Sequence, residues 1–125
     1  MNLLISIKPE FVEKIMTGEK KYEFRKNIFR KHVEKIYIYS TYPEKKIVGY
    51  FEFNGYIEDT PHNLWNNYSD VAGISKESFF DYFKEKDIGF AIKIDNLKIF
   101  NQPIDVSTLD DFKAPQSFCY VKELF

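Results

Sequence analysis

The run Leu3-Leu4-Ile5-Ser6-Ile7 is short and almost wholly apolar, a pattern suited to a buried strand. Lys8-Pro9 then turns the chain from extended backbone into a helix, with Pro9 at the first helical position. Phe11 with Ile15 and Val12 with Met16 are spaced by four and form one apolar helix face, which Gly18 ends with a left-handed stop. Beyond it Tyr22 and Phe24 alternate with Lys21, Glu23 and Arg25. A strand here buries the two aromatics and puts the charges on its other face. Lys20 falls on the wrong parity, so that it either lies in the turn before the strand or is re-aimed toward Glu23 by a bulge.

Ile36-Tyr37-Ile38-Tyr39-Ser40 reads as a second strand, and Thr41-Tyr42-Pro43-Glu44 as the turn after it. In the next strand Ile47, Phe51 and Phe53 share one face and Val48, Tyr50 and Glu52 the other, with Gly49 marking a bend or a close backbone approach. Residues 60–73, with Trp65, read as a helix or partly ordered insert. Residues 75–86 read as a helix capped by Ser75, with Phe79, Tyr82 and Phe83 inward. Ile88, Phe90, Ile92 and Ile94 alternate, and Leu97 and Ile99 continue after Asp95-Asn96, which predicts one long or bent strand. A last strand falls at Phe118–Val121. Five or six short strands with an early helix and a helical insert define an α+β class, a small, partly closed β-barrel with its helices packed outside.

The 125 residues fit one domain, 1–125. No segment has the length and apolarity of a membrane span and the start lacks the features of a signal peptide, so the expected location is cytoplasmic. The single cysteine, Cys119, has no intramolecular partner and is expected to pack as a small apolar residue. Net charge is −1, yet residues 1–46 carry 11 Lys and Arg against 6 Asp and Glu, and the remainder 7 against 13. A local basic field in the first third is therefore compatible with a nearly neutral whole. His32 and His62 are isolated, no Cys/His spacing suits zinc, and no Gly-rich phosphate loop is present. Asp110-Asp111 reads as a solvated acidic turn rather than a Mg²⁺ site.

Candidate chemistry gathers in Gly18-Glu19-Lys20-Lys21-Tyr22-Glu23-Phe24-Arg25, which fits Gly-x-Lys-x-x-Glu-x-Arg. Glu23 is placed to accept a forked pair of bonds from Arg25 or an ammonium contact from Lys20. Arg25, planar and permanently charged, suits phosphate or a base face. Lys20 suits phosphate, or proton transfer if desolvated, and Lys8 extends the basic edge. Glu52 supplies a second carboxylate. Tyr39, Tyr50 and Tyr120 are candidate stacking platforms in a chain that is 18% aromatic.

The octapeptide, the strand-helix start, the Ile47-Val48-Gly49 strand and the tail Pro115-Gln116-Ser117-Phe118-Cys119-Tyr120 together resemble the ASCH domain family, a PUA-like group linked to RNA, in its stand-alone bacterial and phage form. The resemblance implies a cleft between barrel and early helix that binds RNA or a modified nucleoside. Lys20, Glu23 and Arg25 would line it, and Lys8, Tyr39, Ser40, Glu52, Ser117 and Tyr120 are further ligand-binding candidates; a regulatory role is one expectation for such a protein. It also implies an alternative, hydrolysis. Some family members resemble metal-assisted ribonucleases, for which Mg²⁺ is the candidate cofactor, and no other cofactor is implied. Others resemble amidohydrolases of acylated cytidine that use a lysine-activated threonine and a strand glutamate. Lys20 and Glu52 match the lysine and the glutamate, but Glu23 stands at the threonine position, which removes that nucleophile; Lys20, Glu23 and Glu52 are the catalytic candidates if the chain is an enzyme. A third reading is a non-catalytic interaction module. On the phosphate-binding reading, Arg25→Ala is expected to weaken binding with the fold intact. The oligomeric state is not legible.

Overall fold

The computed structural model describes residues 1–122, whose chain order is β1 (Asn2–Ile7), α1 (Pro9–Thr17), β2 (Tyr22–Arg25), β3 (Lys35–Ser40), β4 (Lys46–Glu52), β5 (Tyr56–Asp59), α2 (Pro61–Tyr68), α3 (Lys76–Tyr82), β6 (Gly89–Lys93), β7 (Asp95–Asp105) and β8 (Phe118–Val121). The eight strands form a five-stranded sheet in the order β7-β4-β3-β1-β8 and a three-stranded sheet in the order β2-β6-β5. The class is α+β and the fold barrel-type, with two facing sheets that do not close. No helix among the described residues is long and apolar enough to cross a membrane.

Among the described residues the only parallel pairing joins β1 to β3, from Leu3 opposite Ile36 to Ile7 opposite Ser40. The intervening α1 makes the crossover that a parallel pair requires. Central β1 is buried along its whole length, as a continuous apolar run should be. Leu3, Ile5 and Ile7 join Ile36, Ile38, Phe51, Ile92 and the helix residues Val12 and Ile15 in the core between the sheets. Met16, expected inward with Val12, is instead 39% exposed, because the buried stripe of this short helix is centred on Val12 and Ile15.

Leu4, Tyr37, Tyr39 and Ile47 form a second core on the outer face of the large sheet, covered by Ile104, Val106, Leu109 and Phe112. Cys119 packs there too, half-buried, and its burial pushes the thiol pKa up. A third core lies under α2 and α3, where Phe24, Leu64, Ala72, Phe79, Phe83 and Ala91 meet. Trp65 belongs to it, its ring 5.1 Å from that of Phe79.

Three expectations need correction. Ile38 pairs with Gly49 but Tyr39 with Ile47, so Val48 is an extra residue. That bulge sends Ile47 to the outer core and puts Val48 with Phe51 in the inner one, exchanging the faces that strict alternation assigns. The run from Ile88 to Ile99 is not one strand: β6 and β7 belong to different sheets, and the chain changes sheet at Ile94–Asn96, where Asn96 has φ 49°. The helix expected over 75–86 spans only Lys76–Tyr82, with the Ser75 hydroxyl accepting from the Ser78 N–H. The close approach at Gly49 is real: a Cβ there would run into the Lys98 carbonyl of β7.

Candidate functional site

The motif begins where α1 ends. Gly18 adopts φ 85° and its N–H returns to the Ile15 carbonyl, while the Lys20 N–H reaches back to the Lys14 carbonyl at 3.0 Å. Lys21 N–H then donates to Val71 O at 2.8 Å, tying the loop to the helical insert. Gly73, at φ 65°, lies so close that a Cβ on it would collide with the Lys20 side chain. Lys20 therefore occupies the turn before β2, and no bulge is needed to bring it toward Glu23.

Two of the three motif charges are almost completely removed from water: Lys20 is 4% and Glu23 7% exposed. Glu23 stands on the β2 face opposite Phe24, as alternation requires, but that face looks across at β1 rather than into solvent. Arg25 donates to Glu23 Oε2 through Nε at 3.0 Å and Nη2 at 2.7 Å. Its Nη2 also meets the Ser6 carbonyl at 2.8 Å, and its Nη1 the Ser117 hydroxyl at 3.0 Å. The guanidinium thus binds β2 to β1 and to the segment leading into β8. Arg25 therefore has structural partners as well as a place in the cleft lining, so that its removal bears on stability as well as on binding.

The Lys20 ammonium donates to the Ala72 carbonyl at 2.8 Å and lies 3.5 Å from Glu23 Oε1. Phe24 and Phe11 flank it, at 5.1 and 5.7 Å from their ring centroids. Burial lowers its pKa below the ordinary 10.5, opposed by the neighbouring Glu23 carboxylate. An ammonium has three donors, and among the described residues these two acceptors meet it. Oε1 of Glu23, touched only at 3.5 Å, retains acceptor capacity that Oε2 does not.

These groups line a cleft of about 390 Å³ between the end of β1, the start of α1, β2 and the helical insert. Its lining is mixed: the polar residues Ser6, Lys8, Lys20, Glu23, Arg25, Thr41 and Gln116 share it with the apolar and aromatic Ile7, Phe11, Phe24, Ile74 and Tyr82. Its volume is in the range of small-molecule sites, about 300–1,000 Å³. Glu23 is the only carboxylate in the lining, and no cluster of three or more His, Cys, Asp or Glu among the described residues is placed to hold a metal ion. With both Glu23 oxygens facing cations, this donor set does not fit a resident divalent ion.

The other candidates divide. Lys8 lines the cleft and is exposed; Ser117 reaches it through Arg25. Ser40 is buried one residue before Thr41, which does line it. Glu52 does not come to the cleft: it pairs with Lys35 at the opposite end of β3 from Ser40 and accepts from Asn96 Nδ2 at 2.6 Å. Five strand steps of about 3.3 Å separate those ends by about 17 Å. Tyr39 is buried on the outer face against Phe112, with its hydroxyl pKa pushed up by burial. Tyr50 packs on Tyr37 and Phe100 there. The Tyr120 hydroxyl accepts from the Arg30 and Lys31 N–H groups at 2.9 and 3.1 Å. Ser6, Ile74, Tyr82 and Gln116 were not legible as cleft residues. Only Ser6 carried a signal, as the single polar side chain in an apolar run.

An α+β barrel-type fold with a Lys-Glu-Arg cluster at the mouth between its two sheets defines the class. No protein-family model matches the chain. It is 31% identical over 127 residues to the ASCH domain-containing ribonuclease of Zymomonas mobilis subsp. mobilis, an alignment covering 96% of this chain and 84% of that relative. The crystal structure of ASCH from Zymomonas mobilis superposes with a TM-score of 0.87 at 27% identity, covering 98% of this chain and 88% of that one. A large ribosomal subunit protein uL22 of Ureaplasma parvum serovar 3 is 28% identical over 121 residues, but this chain spans 39% of its length. The chain belongs to the ASCH domain family.

Proposed function

We propose that the protein binds single-stranded RNA in this cleft and cleaves it. The observation that carries the reading is the desolvated Lys20–Glu23 pair, 3.5 Å apart, in a nucleotide-sized cleft also lined by Lys8 and Arg25. The 31% identity to a protein named a ribonuclease supports it. In this reading the phosphate lies at Lys8 and Lys20, which offset its charge. Glu23 Oε1 takes the proton from the ribose 2′-hydroxyl, the freed oxygen attacks the adjacent phosphorus, and the bond to the 5′-oxygen breaks. Lys20 faces the charge gathering on the phosphoryl oxygens. The products are a 2′,3′-cyclic phosphate and a 5′-hydroxyl, the 5′-oxygen taking up a proton from solvent. No step passes through a metal.

A second reading is favoured by the double hold of Arg25 on Glu23 Oε2: the carboxylate is then a fixed part of the wall, and the cleft reads RNA or a modified nucleoside without cutting. One assay separates the two. Labelled single-stranded RNA is titrated by fluorescence anisotropy with and without Mg²⁺, then run on a denaturing gel. Salt-sensitive binding with shortened RNA, and no cutting of a 2′-deoxy control, is the result expected; bound but intact RNA selects the reader. The absence of binding at low salt contradicts cleavage and RNA reading alike and leaves the modified nucleoside as the ligand to titrate.

A further inference from the structure

Tyr82, at the end of α3, forms part of the cleft wall, whereas the charged lining residues are Lys8 and the motif's Lys20, Glu23 and Arg25. Its place is fixed from several sides. The hydroxyl makes a hydrogen bond with the Lys26 backbone, and burial raises its pKa. The ring makes a T-shaped contact with Phe83, with centroids 4.9 Å apart at 77°. The Lys26 ammonium sits 4.7 Å from the ring centroid. Such a ring is held in one orientation before any ligand arrives, which lowers the entropic cost of stacking on it. Phe11 and Phe24 are already committed to flanking the Lys20 ammonium. The Tyr82 hydroxyl feels the charges of Arg25 and Glu23, but its ring does not flank the Lys20 ammonium as those of Phe11 and Phe24 do.

We infer that Tyr82 is the nucleobase platform of the cleft: one base of a bound RNA lies on its ring, while the adjoining phosphate meets Lys8 and Lys20. This rests on the RNA reading above and deepens it. The lining itself supports the assignment. Aromatic side chains and cations together in one lining suit the two parts of a nucleotide, an apolar π-face and an anion. Lys26, half-buried and with its ammonium over the Tyr82 ring, takes one face of the ring and leaves the other for a base. Because stacking tolerates every base, the platform confers preference for a base over its absence rather than for one sequence.

The test is anisotropy titration of two labelled RNAs that differ only in one central abasic site, against wild type, Tyr82→Phe and Tyr82→Leu. Thermal melts confirm that each variant is folded at the assay temperature. Tyr82→Leu is expected to bind intact RNA about ten-fold more weakly, and the abasic RNA with nearly wild-type affinity. Tyr82→Phe, which keeps the ring, retains most of the affinity for intact RNA. Equal losses on both RNAs, or none on either, overturn the platform while leaving the RNA reading in place. Failure of wild type to bind either RNA overturns the RNA reading and the platform together.

Discussion

Arg25 grips Glu23 with two nitrogens on one oxygen, Nε at 3.0 Å and Nη2 at 2.7 Å from Oε2, and so leaves Oε1 to face Lys20 and the cleft. The asymmetry gives one carboxylate two roles. Oε2 anchors β2 to the rest of the fold, and Oε1 is the atom available for chemistry.

The anchor is expected to show in stability. An exposed ion pair is worth about 0–1 kcal/mol, but removing one partner of a desolvated pair costs about 3–5 kcal/mol. Arg25→Ala also strands the Ser6 carbonyl and the Ser117 hydroxyl. It should lower the urea-unfolding free energy by about 3 kcal/mol, with Ser117→Ala costing less than about 1 kcal/mol. Equal and small losses in both variants contradict the anchoring role.

Lys20 should make stability depend on alkaline pH. Its folded pKa lies below 10.5, so between that value and 10.5 the unfolded chain holds more protons than the folded one. Stability attributable to Lys20 therefore rises with pH across this window, and the cost of charging a buried ammonium is felt in full below it. Urea unfolding of wild type and Lys20→Met, from roughly pH 7 to roughly pH 10, should give a difference that moves in favour of wild type as pH rises. A difference flat in pH contradicts a depressed Lys20.

Gly73 sets the fit of the insert against the site. At φ 65° and against the Lys20 side chain, Gly73→Ala meets both backbone strain and a collision. It is expected to destabilise the fold by about 1–3 kcal/mol and to reduce RNA cleavage by displacing the ammonium. Unchanged melting temperature and cleavage would show that the insert yields freely there.

Lys8 is exposed, so its removal should leave folding untouched. With a phosphate contact at that position, Lys8→Ala lowers the slope of log affinity against log salt by about one unit. A slope equal to that of wild type removes Lys8 from the RNA path.

How much of this was legible in the chain follows from how far each signal reaches. Pro9, the spacing of Val12 and Ile15, and Gly18 fix α1 through neighbours in sequence. The motif spacing likewise brings Lys20, Glu23 and Arg25 together, because a turn and four strand residues leave little freedom. Register is another matter. Glu52 and Ser40 both lie in the β3–β4 hairpin, and only the pairing of Glu52 with Lys35 shows that Glu52 belongs to the far end. Ile47 goes to the outer core through a bulge at Val48 that alternation cannot anticipate. Tyr82 and Gln116 reach the cleft by long-range packing, and nothing near them in sequence distinguishes them from ordinary insert and tail residues.

The claim that the cleft is a site of cleavage is tested most directly by single-turnover cleavage of labelled RNA with Glu23→Gln, a variant of nearly the same shape that cannot accept the 2′-hydroxyl proton. With melts confirming a folded protein, the expected result is RNA affinity within a few-fold of wild type and a cleavage rate reduced about 10²-fold or more. Cleavage by Glu23→Gln at the wild-type rate would contradict the account.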